Sequence, residues 1–185
     1  MSEIEPSPEA LEVARNLMQS SIGTVNEILS SGNYGIEWKP DNTPVTDIDK
    51  KVNQDAIEQI SQAFPNDRIM GEEQSKDGSG NIWVIDPIDG TQALEQAIPA
   101  FTVCIARLDS NGTPQFSIVA DPISGDIYES VTNQPTLKNG QPKHNPGINV
   151  SGCLTFLFYL VALSRICPIF SFFLTKSSHY LPIPL

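Results

Sequence analysis

Residues 82–91 have the sequence Ile-Trp-Val-Ile-Asp-Pro-Ile-Asp-Gly-Thr. The apolar and largely β-branched start of this stretch predicts a short buried strand. Asp86 and Asp89 follow where that strand is expected to end. Two carboxylates three residues apart can converge on a hard cation such as Mg²⁺, with the Ile88 carbonyl between them as a third oxygen ligand. The stretch therefore predicts a strand that delivers a candidate metal site.

Gly90 and Thr91 complete this stretch. Glycine lets the chain turn tightly, and a short helix from Thr91 would direct its free N–H groups towards a phosphate. An isolated Asp-x-x-Asp pair more often caps a turn, so both interpretations remain open for these residues alone.

Two further acidic sites favour the metal interpretation. Glu72 and Glu73 follow a short apolar run and would repel one another without a cation. Asp47 and Asp49 lie at the predicted start of a helix, where one can cap the helix and the other remains free for chemistry. Together with the strand carboxylates, these residues indicate a magnesium cluster that activates a water molecule against a phosphate ester.

The surrounding sequence predicts an α+β fold. A helix is expected to begin at Ser7-Pro8 and end at Gly32, and a second to begin at Thr46 and stop before Pro65. Strands are predicted at 82–85, 101–108, 115–120 and around 127–128, and the segment 33–44 is predicted to be a polar loop. Two helices followed by hairpin-linked strands indicate an N-terminal layer of two helices packed on a largely antiparallel sheet.

The composition divides the chain into two parts. Its 185 residues include 22 acidic and 11 basic side chains, a formal net charge of −11, which argues against a nucleic-acid binder. All acidic residues lie at or before Glu129, whereas Arg165 and Lys176 are the only charged residues after position 150. We therefore expect a soluble acidic domain over 1–150 and a separate apolar tail over 151–185.

Three motifs resemble the inositol monophosphatase-like family of magnesium-dependent, lithium-sensitive phosphatases, which includes bisphosphate nucleotidases and histidinol phosphatases. They are Gly71-Glu72-Glu73, the run from Trp83 to Thr91, and the segment 46–49. Their order and spacing are similar to the family over roughly residues 8–150. The resemblance implies the N-terminal layer of the sugar-phosphatase fold, without the second layer.

The resemblance also implies the roles of individual residues. The implied metal ligands are Glu72, Asp86, the Ile88 carbonyl and Asp89, which would bind Mg²⁺ (two or three ions in intact members). The implied catalytic residues are Asp49, Glu72 and Thr91, of which Thr91 would orient the attacking water. The implied phosphate-binding residues are Gly90 and Thr91, and the residues expected beside the metal are Lys39 and Glu73.

The tail is expected to lie outside the family. The family's C-terminal half carries a Trp-Asp motif that completes its second metal site, but tryptophan occurs here only at positions 38 and 83. The segment 153–174 is long enough to span a membrane, but Arg165 near its middle makes that costly. We favour a truncation or frame change as the origin of 151–185 over a membrane anchor.

The expected function is hydrolysis of a small phosphorylated metabolite, such as an inositol phosphate or a related sugar or nucleotide phosphate, in the cytoplasm. The alternatives are a non-catalytic, truncated metal-binding half-domain that acts as a homodimer or with an intact copy, and a membrane-tethered variant.

Overall fold

The computed structural model of the protein describes residues 6–142, which form three helices and nine strands. The helices are α1 (Pro8–Ser31), α2 (Asp47–Ala63) and α3 (Thr91–Glu95). The strands are β1 (Ile36–Trp38), β2 (Pro44–Thr46), β3 (Arg68–Gly71), β4 (Ile82–Asp89), β5 (Thr102–Leu108), β6 (Pro114–Ala120), β7 (Ile127–Val131), β8 (Leu137–Lys138) and β9 (Gln141–Pro142). This is the α+β class that the sequence predicts.

The two long helices have the predicted bounds. Pro8 occupies the first turn of α1, where its missing N–H costs nothing, and Gly32 ends the helix at a φ of 62° with its N–H donated to the Leu29 carbonyl. The predicted cap by Ser7 is wrong in one respect, because its side chain makes no capping hydrogen bond. Helix α2 begins at a capping box, in which Thr46 and Asp49 bond each other's backbone N–H groups.

The strands form a seven-stranded sheet in the order β3-β4-β5-β6-β7-β8-β9 and a separate hairpin of β1 and β2. Only β3 and β4 pair in parallel among the described strands; the others pair antiparallel. The predicted polar loop over 33–44 is therefore wrong, since it contains β1 and the start of β2. Strand β1 escaped prediction because all three of its residues are exposed, which leaves no apolar alternation.

Helices α1 and α2 pack on one face of the sheet, and Trp83 of β4 lies at the centre of this core. Its indole N–H donates to Asp67 Oδ2 over 2.9 Å, and Arg107 Nη2 donates to the same oxygen over 2.9 Å. The ring of Phe116 stands edge-on to the indole at 5.7 Å. A buried aromatic ring with a satisfied N–H fixes β4 within the sheet, and β4 carries the candidate site.

Residues 143–185 lie outside the described residues. The predicted boundary at 150, the non-family origin of 151–185 and the candidate membrane segment 153–174 therefore stay predictions. Between residues 6 and 142, none of the helices has the length and apolar character needed to cross a bilayer.

Candidate active site

Strand β4 carries Asp86 and Asp89 at its carboxyl end. The sequence predicted that the strand stops at Ile85, but both aspartates still pair with β5, Asp86 opposite Cys104 and Asp89 opposite Thr102. Asp86 and Asp89 are three residues apart on β4, whereas their partners on β5 are two residues apart, so β4 contains a β-bulge here. Residues three apart in a regular strand point to opposite faces, and the extra residue brings both carboxylates to the same side.

Gly90 turns the chain sharply out of β4. Its φ is 102°, and a Cβ at this position would lie 2.8 Å from the Ala100 carbonyl oxygen, so only glycine fits without strain. Helix α3 then begins at Thr91, as predicted. The Thr91 hydroxyl lies 3.1 Å from Asp49 Oδ1 and 2.9 Å from the Ile88 carbonyl oxygen and can donate to either.

Asp49 is buried in the first turn of α2, with 1% of its surface exposed. Its Oδ2 accepts from the Thr46 N–H over 2.9 Å, while its Oδ1 faces Thr91. Burial raises the pKa of this carboxyl, although the hydrogen bonds from Thr46 and Thr91 oppose the shift. One carboxylate therefore caps the helix and also contacts the Thr91 hydroxyl. Its neighbour Asp47 lies elsewhere and accepts from the Gly35 N–H.

Glu72 and Glu73 follow β3 and meet Lys39, which extends from the hairpin. The Lys39 Nζ lies 3.1 Å from Glu72 Oε1 and 2.7 Å from Glu73 Oε1. Burial alone would lower the pKa of Lys39, but the hydrogen bonds to Glu73 and Glu72 outweigh it and leave the pKa raised. Burial raises the pKa of Glu73 against the effect of Lys39. The single ammonium charge thus bridges the two glutamates and offsets only one of their two negative charges.

Among the described residues, the charge of Asp86 is not compensated by a neighbouring cation or by hydrogen-bond donors. This residue is 7% exposed, and its Oδ1 has no hydrogen-bond partner. Burial first, then the negative charges of Glu72 and Asp89, raise its pKa to about 8. Burial and the charge of Glu72 also raise the pKa of Asp89. A buried, partnerless acidic oxygen among like charges is stabilised by a bound cation.

The donor set fits a hard divalent cation, because it consists of carboxylate oxygens and the Ile88 carbonyl. Across residues 6–142, however, no three acidic, histidine or cysteine side chains already converge closely enough to hold a metal ion. In this arrangement Glu72 is paired with Lys39. The chemistry of the donors and the unpartnered Asp86 oxygen argue for a cation more strongly than the side-chain positions argue against one.

The structure thus brings the predicted site residues together from four places: β4 and the start of α3, the first turn of α2, the turn after β3, and the hairpin. Sequence reasoning missed Asn53, which lies on α2 and is fully buried. The signal that could have found it is a polar residue beside Val52 on the apolar stripe of a helix, one turn after Asp49. Gly71 was quoted as part of a motif, but its close packing against Asn53 was not foreseen.

Comparison with known proteins gives this site a family context. The sequence model of the Inositol monophosphatase family matches residues 8–166. The match runs beyond residue 150, where the sequence alone placed the end of the family-like segment, and that boundary remains a prediction.

Two curated relatives illustrate the similarity. A histidinol-phosphatase of Chlorobaculum parvum is 34% identical over 122 residues, which cover 65% of this chain and 47% of the relative. An inositol monophosphatase of Dictyostelium discoideum is 32% identical over 136 residues, covering 67% of this chain and 50% of the relative. The chain therefore spans about half the length of these relatives.

A solved structure of an IMPase from Thermotoga maritima aligns with a TM-score of 0.68 at 23% identity. The alignment covers 75% of this chain and 54% of the IMPase chain. At this identity the similarity concerns the fold, which is that of helices packed against a largely antiparallel sheet.

Proposed function

Because the chain belongs to the inositol monophosphatase family, we propose that it hydrolyses a phosphomonoester of a small metabolite with Mg²⁺ as its cofactor. The observation that carries this proposal is Asp86, whose buried Oδ1 lacks a partner while Glu72 and Asp89 surround it with like charge. A bound cation would offset the unfavourable charge of a carboxylate in this environment. Glu72, Asp86, Asp89 and the Ile88 carbonyl would hold the metal. Bound Mg²⁺ would supply charge neutralisation for the phosphate ester and lower the pKa of the attacking water.

Thr91 and Asp49 would orient that water. Since the Thr91 hydroxyl donates to Asp49 Oδ1 or to the Ile88 carbonyl, its lone pairs remain available to accept a hydrogen bond. Asp49 is fixed by the capping box, so the acceptor for the Thr91 proton does not move. This arrangement would hold the water along one direction, which is the main contribution a side chain makes to in-line attack.

Gly90 and Thr91 would receive the phosphate. The glycine turn places the start of α3 next to the acidic groups, and backbone N–H groups at such a turn attract anions. The resemblance implies that the residues selecting the alcohol part of the substrate lie in the C-terminal half of the family fold. The substrate is therefore proposed only as a class, namely inositol, histidinol or nucleotide phosphates.

A second candidate is a metal-binding half-domain without turnover. The observation that favours it is that residues 130–185 contain no Asp or Glu, so this segment offers no further carboxylate side chain to a metal ion. We propose that such a product would act in the cytoplasm as a homodimer or with an intact copy, without nucleic acid. The membrane-tethered alternative concerns residues outside the described range.

A phosphatase assay separates the two candidates. The full chain is incubated with inositol phosphate, histidinol phosphate and phosphoadenosine phosphate, with Mg²⁺ or with EDTA, and released phosphate is measured. Turnover that requires Mg²⁺, falls with added Li⁺ and disappears in Asp86→Asn supports the enzyme. A folded chain that binds Mg²⁺ without releasing phosphate supports the half-domain. A folded chain with neither property contradicts both.

A further inference from the structure

Asn53 is a polar residue in the core of the protein. It lies on α2 with 0% of its surface exposed, and its Nδ2 donates to the Gln74 carbonyl over 3.2 Å. Its Oδ1 is buried without a hydrogen-bond partner. An apolar side chain would remove the cost of the unsatisfied acceptor, but it would also leave the Gln74 carbonyl without its donor. The contribution of the amide is therefore its bond to the turn at Gln74.

The turn that Asn53 contacts is the one that carries Glu72 and Glu73. The Ser75 hydroxyl bonds both the N–H and the carbonyl of Gly71, at 3.3 and 3.2 Å. The Glu72 N–H donates to the Ile85 carbonyl over 3.2 Å, which ties the turn to β4. Asn53 holds the far side of the same turn through Gln74.

The packing between this turn and α2 leaves no spare room. A Cβ on Gly71 would lie 2.3 Å from Asn53 Oδ1 and 2.2 Å from the Gln74 carbonyl oxygen. Both distances are well below contact, so the glycine allows the turn to approach the asparagine side chain. A change at Asn53 is therefore expected to move the turn rather than leave a passive gap.

Asn53 lies four residues after Asp49, on the same face of α2. Asp49 contacts Thr91, and Asn53 contacts the turn of Glu72 and Glu73. One helix face thus holds both parts of the candidate site, the water-orienting pair and the acidic turn. We propose that Asn53 is a positioning residue that sets the Glu72–Glu73 carboxylates relative to Asp49 and Thr91, and so sets the affinity for Mg²⁺. The consequence for Mg²⁺ rests on the proposed function, whereas the positioning does not.

Three variants of the full chain test this proposal. Asn53→Ala removes the whole amide, and Asn53→Leu keeps a similar volume but has no donor for the Gln74 carbonyl. Ser61→Ala is the matched control, because the Ser61 hydroxyl is also buried without a partner on α2 but lies far along the helix from the turn. Hydrogen exchange of the Glu72 amide is measured without metal, and the Mg²⁺ midpoint is measured by thermal shift.

We expect exchange at Glu72 to accelerate about five- to tenfold in both Asn53 variants, the effect of losing one hydrogen bond, and to stay unchanged in Ser61→Ala. We expect the Mg²⁺ midpoint of Asn53→Ala to rise about tenfold, as for other residues that orient metal ligands. Unchanged exchange in Asn53→Ala, or exchange in Asn53→Leu that equals the wild type, overturns the positioning role whatever the metal does.

The metal arm distinguishes this proposal from the proposed function. If the wild type responds to Mg²⁺ and Asn53→Ala has the same Mg²⁺ midpoint, Asn53 does not influence metal affinity, and that part of the proposal is overturned. A wild-type chain with no response to Mg²⁺ overturns the proposed function, and the exchange data then still decide whether Asn53 positions the turn.

Discussion

Asp86→Asn tests the electrostatics of the site without any substrate. The side chain keeps its shape, loses its charge, and can still donate a hydrogen bond to Glu72 as a protonated Asp86 would. Because the charge of Asp86 is unfavourable in the metal-free protein, we expect this loss of a site carboxylate to stabilise the fold in EDTA. The same substitution should remove the stabilisation that Mg²⁺ confers on the wild type.

The magnitude follows from the pKa of Asp86, which burial and then Glu72 and Asp89 raise from 3.8 to about 8. Between these values the folded chain binds a proton that the unfolded chain has released. The stability of the wild type therefore falls as the pH rises through this window. Each pKa unit corresponds to about 1.4 kcal/mol, so the loss at pH 7 reaches about 4 kcal/mol. Asparagine does not titrate, and the variant should lack this loss.

Unfolding in urea is measured in EDTA at pH 5 and at pH 7, with the fluorescence of the buried Trp83 as the readout. We expect Asp86→Asn to unfold at a higher urea concentration than the wild type at pH 7, with a smaller difference at pH 5. The control is Asp55→Asn, which removes an aspartate from the outer part of α2 that pairs with Lys51. The free energy of unfolding of Asp55→Asn should not rise between pH 5 and pH 7.

Two outcomes would refute this reasoning. One is an Asp86→Asn variant that is less stable than the wild type at pH 7 in EDTA. The other is a wild-type chain whose stability between pH 5 and pH 7 changes as it does in Asp86→Asn. Either result would mean that the folded protein accommodates the Asp86 charge without a cation.

Substitutions at three further positions give independent checks. Lys39→Met should lower the Mg²⁺ midpoint in thermal shift about three- to fivefold, because the metal no longer displaces a part-exposed ion pair between Lys39 and Glu72. An unchanged or higher midpoint would contradict the role given to this lysine. Thr91→Ala should reduce kcat about 100-fold with little change in the Mg²⁺ midpoint, whereas Thr91→Ser should retain most of the rate. Equal kcat values for the wild type and Thr91→Ala in steady-state assays would show that the hydroxyl does not orient water. Gly90→Ala should lower the free energy of unfolding, measured in urea, by about 1–3 kcal/mol. The reason is that residue 90 has a φ of 102° and the new Cβ would meet the Ala100 carbonyl. An unchanged urea midpoint would contradict the strained turn.

The local features of the fold could be predicted from the sequence because single residues determine them. Pro8 and Gly32 bound α1, and the Thr46–Asp49 box begins α2, each through bonds within a few residues. The strand at Trp83 was evident from its apolar run. Its extension to Asp89 was not, because it depends on pairing with Thr102 of β5 across a bulge. Local patterns do not contain that information.

The candidate site was predicted as a set of residue types rather than as an arrangement. The motifs identified the acidic residues, but the contact of Lys39 with Glu72 and Glu73 joins residues more than 30 positions apart. Asn53 was missed because an asparagine in a helix is ordinarily a surface residue, and only packing shows that it is fully buried. The hairpin of β1 and β2 was missed because its first strand has no buried face.

Binding of Mg²⁺ by the acidic cluster around Asp86 can be measured by calorimetric titration of Mg²⁺ into the full chain. We expect saturable binding by the wild type and none by Asp86→Asn, with the Asp55→Asn control binding as the wild type does. Binding of equal affinity in the wild type and in Asp86→Asn, or no binding by a folded wild type, would contradict this expectation.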